Sequence, residues 1–177
     1  MERNGAFRLT QAGVALGMAV GMVATAAPFF WRPLPIVTSD ARLGVWAAAS
    51  LVAGACLLVF VARLPRHRFF APEDIDAALA LNSRAAALLQ AQLQNSVEQA
   101  VLAAIAWGAW LALGPARLHG LVPIFAAYFI LGRLLFALGY RRGAAARSLG
   151  FALTFYPSVA LVALALPRAL ALLVSPG

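Results

Sequence analysis

Lysine is absent: all fourteen basic residues are arginine, set against six acids for a net charge of +8. Charge of either sign is sparse, at 11% of the chain, whereas 63% is hydrophobic and the mean hydropathy is +0.86. That balance excludes a soluble domain of 177 residues and describes an integral membrane protein. It also argues against nucleic acid as a partner. The arginines stand singly or in small groups between apolar runs, with no basic stripe interleaved with aromatics. A single cysteine, Cys56, rules out an internal disulfide, and its place inside an apolar run makes it lipid-facing or packing filler. No group of His, Cys or carboxylate residues has metal-ligand spacing, so no metal is expected.

What the chain has instead is long uncharged runs. Residues 12 to 31 make a first one, and twenty residues suffice to cross a hydrocarbon core of roughly 30 Å. A cleaved secretory signal, with Arg3 and Arg8 as its basic region and Ala24-Thr25-Ala26 as its cleavage site, is the competing reading. The apolar part is longer than such signals use. Arg32-Pro33-Leu34-Pro35 then breaks the helix, and residues 43 to 62 form a second span closed by Arg63, Arg66, His67 and Arg68. Pro72 followed by Glu73, Asp74 and Asp76 predicts the start of the longest helix, running through Arg84, Asn95 and Glu98 into an uncharged stretch that ends before Arg117. Gly114 to Gly120 is a turn, and residues 121 to 140 a fourth span interrupted by Arg133. A hairpin over 141 to 147 leads to a fifth span from Ser148 to Leu166, bent at Pro157 and stopped at Pro167-Arg168. Trp31 and Trp46 read as interfacial anchors, and Trp107 and Trp110 as packing or lipid contacts.

Five spans put the termini on opposite sides. With the N-terminus cytoplasmic, nine arginines fall on inner segments and four on outer ones, which sets that orientation. Removing the first span as a signal would leave the others facing the same way. The loop after span two, the entry of the long helix and the hairpin after Tyr140 then share the cytoplasmic face. Arg84, Ala91, Asn95 and Glu98 fall on one stripe of the long helix, and Arg133, Phe136 and Tyr140 on a stripe of the fourth span. A carboxylate at the rim of a membrane span is costly and marks Glu98 as a functional candidate with a cation expected nearby. If the two stripes face each other, Arg133 supplies that cation and a polar pocket opens for a small anionic ligand. The structural alternatives are a register-fixing Glu98–Arg133 pair, a ligand-free interhelical Asn95, and an interfacial Tyr140 and Arg147. His67 and His119 are assigned no role.

Asn95-Ser96-Val97-Glu98, followed one helix later by Phe129 to Tyr140 with Arg133 inside and then by Arg147, resembles the MAPEG family, the membrane-associated proteins in eicosanoid and glutathione metabolism. The resemblance covers residues from about 43 to 170. It implies an all-α integral membrane fold with a four-helix bundle over residues 43–177; the first span, within residues 1–42, has no counterpart in the family's usual four-helix members and makes one extra N-terminal transmembrane helix. It further implies a homotrimer with glutathione between neighbouring subunits. Asn95 and Glu98 would hold the peptide, Tyr140 would line the pocket and Arg147 would stabilise the thiolate. Arg63, like Arg66, stands where arginines after the family's first span reach the site in some members. Three positions depart from the family's pattern: Ala91 replaces a common arginine, Gln99 an aromatic and Phe136 a second tyrosine, and Arg84, two turns before Ala91, is placed to substitute.

Three functions follow for comparison. The first is a membrane-bound transferase or peroxidase using glutathione or another small thiol against hydrophobic electrophiles or lipid hydroperoxides. The second is a non-catalytic lipid- or partner-binding protein of the same fold. A small transporter is disfavoured by the lack of internal repeats. An Ala- and Arg-rich chain without lysine points to a GC-rich bacterium, hence to the bacterial inner membrane and to thiols that include alternatives to glutathione.

Overall fold

The computed structural model describes residues 2–31, 33–36, 38–75 and 83–174, with side chains from residue 5 onward. Each uncharged run has become a helix: α1 (Glu2–Phe30), α2 (Ser39–Phe70), α3 (Arg84–Leu113), α4 (Leu121–Gly139) and α5 (Ala144–Val174). All five are long and apolar enough to cross a membrane. Short 3₁₀ turns at Pro72–Asp74, Ala116–Leu118 and Tyr140–Arg142 complete the described elements.

The helix ends correct the sequence reading in three places. The long helix is assigned from Arg84, while Pro72–Asp74 is a separate turn; the segment between, with Asp76, lies outside the described residues. Helix α2 passes Pro65 and runs eight residues beyond the expected boundary at residue 62. Helix α5 likewise continues through Pro157 and Pro167 to Val174. Proline inside a membrane helix is tolerated because neighbouring groups and local adjustments re-satisfy the freed carbonyls.

Helix α5 is the hub. It packs along α1, α4 and α3, while α2 lies against α3 and α4. The α4–α5 approach is close because it is made of glycines. A Cβ on Gly132 would stand 2.8 Å from the Gly150 carbonyl oxygen, and one on Gly150 would overlap the backbone nitrogen of Phe136. Small residues of this kind let membrane helices gain backbone contact where lipid offers no hydrophobic drive for association. At the other end, a core of Trp107, Trp110, Leu121, Val122, Phe125, Phe129 and Leu161 is almost wholly enclosed, so both tryptophans pack internally. Cys56 sits half-buried against this core.

Polar contacts lock both ends. On the side of the α3–α4 turn, buried His119 places its two ring nitrogens 3.0 Å from the carbonyl oxygens of Ile36 and Gly114, tying that turn to the α1–α2 connection. Arg168 donates to the Leu113 carbonyl at 2.9 Å, satisfying a C-terminal acceptor of α3. On the opposite side, buried Asp74 accepts from the Ser83 amide (2.8 Å) and the Ser83 hydroxyl (2.5 Å), and its other neighbour is His67 Nε2 at 2.9 Å. Ser83 in turn caps α3 by accepting from the Ala86 amide at 3.1 Å. Both histidines left without a role by the sequence therefore pin inter-helix connections.

The Ser83 hydroxyl, then the Ser83 amide and His67, hold the Asp74 carboxyl below the ordinary carboxylate range, against the opposing effect of its burial. A carboxyl lowered on folding contributes stability above its unfolded pKa of about 3.9 and loses it as pH falls through the lower folded value. Asp74→Ala is therefore expected to lower the Tm of the detergent-solubilised protein at neutral pH. The gap to wild type should narrow once the pH drops below about 4; a gap that keeps its size as the pH falls on below that value would contradict the role assigned to the carboxylate.

Candidate active site

The site lies at the arginine-rich end of the bundle and is assembled from one residue outward. Arg133, on α4, is 2% exposed. Its Nη1 donates to Asn95 Oδ1 on α3 at 2.9 Å and its Nη2 to Thr154 Oγ1 on α5 at 2.6 Å. The guanidinium also sits 4.6 Å from the Phe136 ring centroid and 5.8 Å from that of Phe129. Among the described residues, two aromatic rings and two neutral acceptors compensate the charge, and its Nε is buried without a partner. Among the described residues the only ion pair is His67–Asp74. A buried cation without a carboxylate leaves its surroundings electropositive.

Asn95 passes that constraint on to an adjoining cavity. Because a guanidinium only donates, Asn95 turns its oxygen to Arg133 and keeps its NH₂ group for other partners. The cavity beside it has a volume of about 390 Å³. Asn95, Phe136, Tyr140, Arg147, Ser148 and Phe151 line it, together with Ala144 and, from α1, Val14 and Met18. Tyr140 stacks edge-on to Phe136 with ring centroids 5.2 Å apart. Arg147, in the first turns of α5, places its guanidinium 4.4 Å from the Tyr140 centroid. Ser148 spends its hydroxyl on the Ala145 carbonyl at 2.8 Å. The cavity thus offers two forms of positive potential, a guanidinium and the N-terminal end of a helix, with no acid among the described residues of its lining. Beside them lies an apolar surface from Phe136, Phe151, Val14 and Met18.

Of the residues singled out from sequence, Asn95, Tyr140 and Arg147 meet on this cavity and Arg133 stands directly behind Asn95. The others do not join them within the protomer. The expected Glu98–Arg133 pair is not formed: Glu98 is exposed and accepts from Gln94 Nε2 at 2.9 Å. A three-residue step turns a helix about 60° short of a full circle, which suffices to put Asn95 on the inner side of α3 and Glu98 on the outer. Arg63 donates to Gln92 Oε1 at 2.9 Å and lines a different cavity, also of about 390 Å³, with Arg66, His67 and Arg141. Arg84 is exposed at the first position of α3, away from both cavities.

The sequence reading missed Thr154, Ser148, Phe151, Val14 and Met18. Thr154 was detectable as a hydroxyl within an apolar run, seven residues after Arg147 and so on its stripe. The α1 pair was detectable through Gly13-xxx-Gly17-xxx-Gly21, a spacing that brings membrane helices into contact. Among the described residues no three His, Cys, Asp or Glu side chains come together as a metal site.

The Arg133 network makes a testable demand. Asn95→Leu and Thr154→Val each strand a donor of a buried guanidinium and should cost about 1–3 kcal/mol in denaturant titrations. Adding Arg133→Met to either variant should recover part of that loss, because the unpaired charge goes with it; a further loss of similar size would show that Arg133 is stabilising through something other than these two acceptors.

No curated protein and no solved structure matches the chain. A family model described as the MAPEG family matches residues 43–167, which takes in most of α2 and α5, all of α3 and α4, and every cavity residue except Val14 and Met18. With over two-thirds of its length matched in this way, and with an all-helical membrane bundle to go with it, the chain belongs to the MAPEG family.

Proposed function

We propose that the protein is a membrane-bound transferase or peroxidase that holds glutathione, or another low-molecular-weight thiol, as its thiolate beside Arg147 and presents it to a hydrophobic electrophile or lipid hydroperoxide. The observation that carries this reading is the Arg147–Tyr140 pair over a cavity with no carboxylate among the described residues of its lining. A free thiol has a pKa near 8.5, so only about 3% is thiolate at neutral pH. A guanidinium and a helix N-terminus both favour the anion. In conjugation the thiolate sulfur bonds to the electrophilic carbon and the leaving group departs with its electron pair. In peroxide reduction the sulfur takes the terminal oxygen as the O–O bond breaks, giving a sulfenic acid while the lipid alkoxide leaves with the electron pair and is protonated to the alcohol; a second thiol then attacks the sulfenic sulfur, forming the disulfide and releasing water.

Two groups of residues have their own place in this reading. Asn95, Tyr140 and Arg147 contact the thiol, with Arg133 supporting Asn95 and adding positive potential. Glu98 and Arg84, exposed on α3, serve the site of a neighbouring copy in a homotrimer. An exposed carboxylate midway along a membrane helix is costly toward lipid, which favours a subunit contact there. Arg63 stays in the basic cavity of α2 and contributes to an electropositive, cytoplasmic end of the bundle in a bacterial inner membrane. A non-catalytic lipid-binding role is the second reading, and the apolar part of the cavity, from Phe136, Phe151, Val14 and Met18, is what favours it.

Purified protein is expected to conjugate glutathione to chlorodinitrobenzene, and Arg147→Gln should lower kcat by about 10²–10³ while shifting KM for glutathione much less. Arg147→Lys, which keeps the charge but loses the planar contact with Tyr140, should fall between the two. Loss of glutathione binding with unchanged kcat would make Arg147 an anchor rather than a thiolate stabiliser. If a panel of thiols neither reacts nor raises the Tm, the non-catalytic reading stands instead.

A further inference from the structure

The family match begins at residue 43, so it contains no counterpart of α1, yet α1 forms one wall of the candidate active site. Its attachment is specific. Gly13, Gly17 and Gly21 lie against α5 so closely that a Cβ on Gly13 would stand 2.7 Å from the Ala145 Cβ and one on Gly17 would stand 2.9 Å from the Leu149 nitrogen. A Cβ on Gly21 would likewise stand 3.2 Å from the Ala152 carbonyl carbon. Four-residue spacing keeps the three glycines in one ridge, and the α1–α5 contact is the most extensive between any two helices of the bundle.

That ridge fixes what faces the cavity. Val14 and Met18 each follow a seam glycine by one residue, a turn of about 100°, and so project beside the seam. They are the α1 residues that line the cavity. Ser148 belongs to both surfaces: it lines the cavity and is the residue that a side chain at Gly17 would strike. The outer side of α1, with Leu16 66% and Val23 70% exposed, is left for lipid. Wall and seam therefore share a backbone, and the cavity's width on this side is set by the bulk of two side chains.

The chemistry of the walls divides the ligand between them. Asn95, Tyr140 and Arg147 carry all that a polar, charged thiol needs for recognition, whereas Val14 and Met18 offer no hydrogen bond. We propose that Val14 and Met18 are specificity-determining residues for the hydrophobic cosubstrate, with α1 a fixed wall that limits its size. The proposal rests on the thiol-transfer reading of the cavity. Methionine suits such a position because its unbranched thioether adapts to ligands of different outline.

The test compares Met18→Ala, Met18→Trp and Val14→Phe with Leu16→Ala as a lipid-facing control. The readouts are kcat/KM for chlorodinitrobenzene and for a bulkier chlorinated dinitronaphthalene, and the Kd for glutathione. Met18→Trp and Val14→Phe should depress the ratio of bulky to small substrate by about tenfold or more, and Met18→Ala should raise it, with glutathione affinity and the control unchanged. A uniform change across both electrophiles, or no change, overturns the proposal. If the wild type neither conjugates nor binds any thiol, the thiol-transfer reading fails. The wall is then read from thermal stabilisation by the two aromatics alone. There, selective loss of the bulkier compound's effect in Met18→Trp or Val14→Phe supports the wall, and equal effects in all variants, or none even in wild type, overturn it.

Discussion

The bundle turns on one buried guanidinium. Arg133 reaches across from α4 to Asn95 on α3 and to Thr154 on α5, at 2.9 and 2.6 Å, and so joins three of the four family-matched helices at one point. Its environment is neutral: two acceptor oxygens and the rings of Phe129 and Phe136. A charge at this depth is tolerable because each of its two Nη groups has an acceptor and aromatic rings lie beside it, although its Nε is buried without a partner. The glycine contact of Gly132 with Gly150 makes that geometry possible, by letting α4 and α5 approach closely enough for Arg133 to reach Thr154 within one helical turn. What Arg133 does not have, among the described residues, is an anion. That omission gives the neighbouring cavity its character, since Asn95 is oriented by Arg133 and Arg147 adds a second guanidinium with no acid among the described lining residues.

The two ends of the bundle divide the work. At the end holding His119, Trp110 and Arg168, polar side chains are used to satisfy helix carbonyls and loop backbone, and the interior is packed aromatic and aliphatic core. At the arginine-rich end, two cavities of similar size open, one with Arg147 and one with Arg63, Arg66 and Arg141. Helix α5 connects the two ends, and its N-terminal half carries both the cavity residue Arg147 and the seam that receives α1. A change in how α1 seats on α5 is therefore a change in the site. This coupling has a local physical basis in Ser148, which belongs to seam and cavity alike.

The fold was legible because a membrane imposes a simple rule on sequence. Arg42, Arg63, Arg117 and the Arg141–Arg142 pair delimit apolar runs long enough to span, and every such run is a helix. Helix ends were less legible: proline was read as a stop at residue 167, whereas a membrane helix accommodates it. The α4 stripe of Arg133, Phe136 and Tyr140 was correctly assigned to one face, since its members bear on the same site. The α3 stripe was not. Asn95 and Glu98 are three residues apart, and the residual angle of about 60° straddles the boundary between the bundle's interior and its outside. Periodicity places residues around a helix but does not say where the neighbour's edge falls. The docking of α1 escaped because hydropathy weighs Gly13, Gly17 and Gly21 as merely neutral, while their meaning lies in what they allow to approach. Nor does any count of arginines foretell that Arg63 and Arg147 line different cavities, which depends on the packing of α2 against α3.

The proposed function is electrostatic at its centre: a cavity with Arg147 in its wall, Arg133 behind it and no acid among its described lining residues would hold a sulfur compound as its anion. The most direct measurement is a pH titration of the ultraviolet thiolate band of glutathione bound to the detergent-solubilised protein. An apparent pKa at least about one unit below the free value near 8.5 is the expected result. A bound thiol that titrates at or above its free value would contradict the claim.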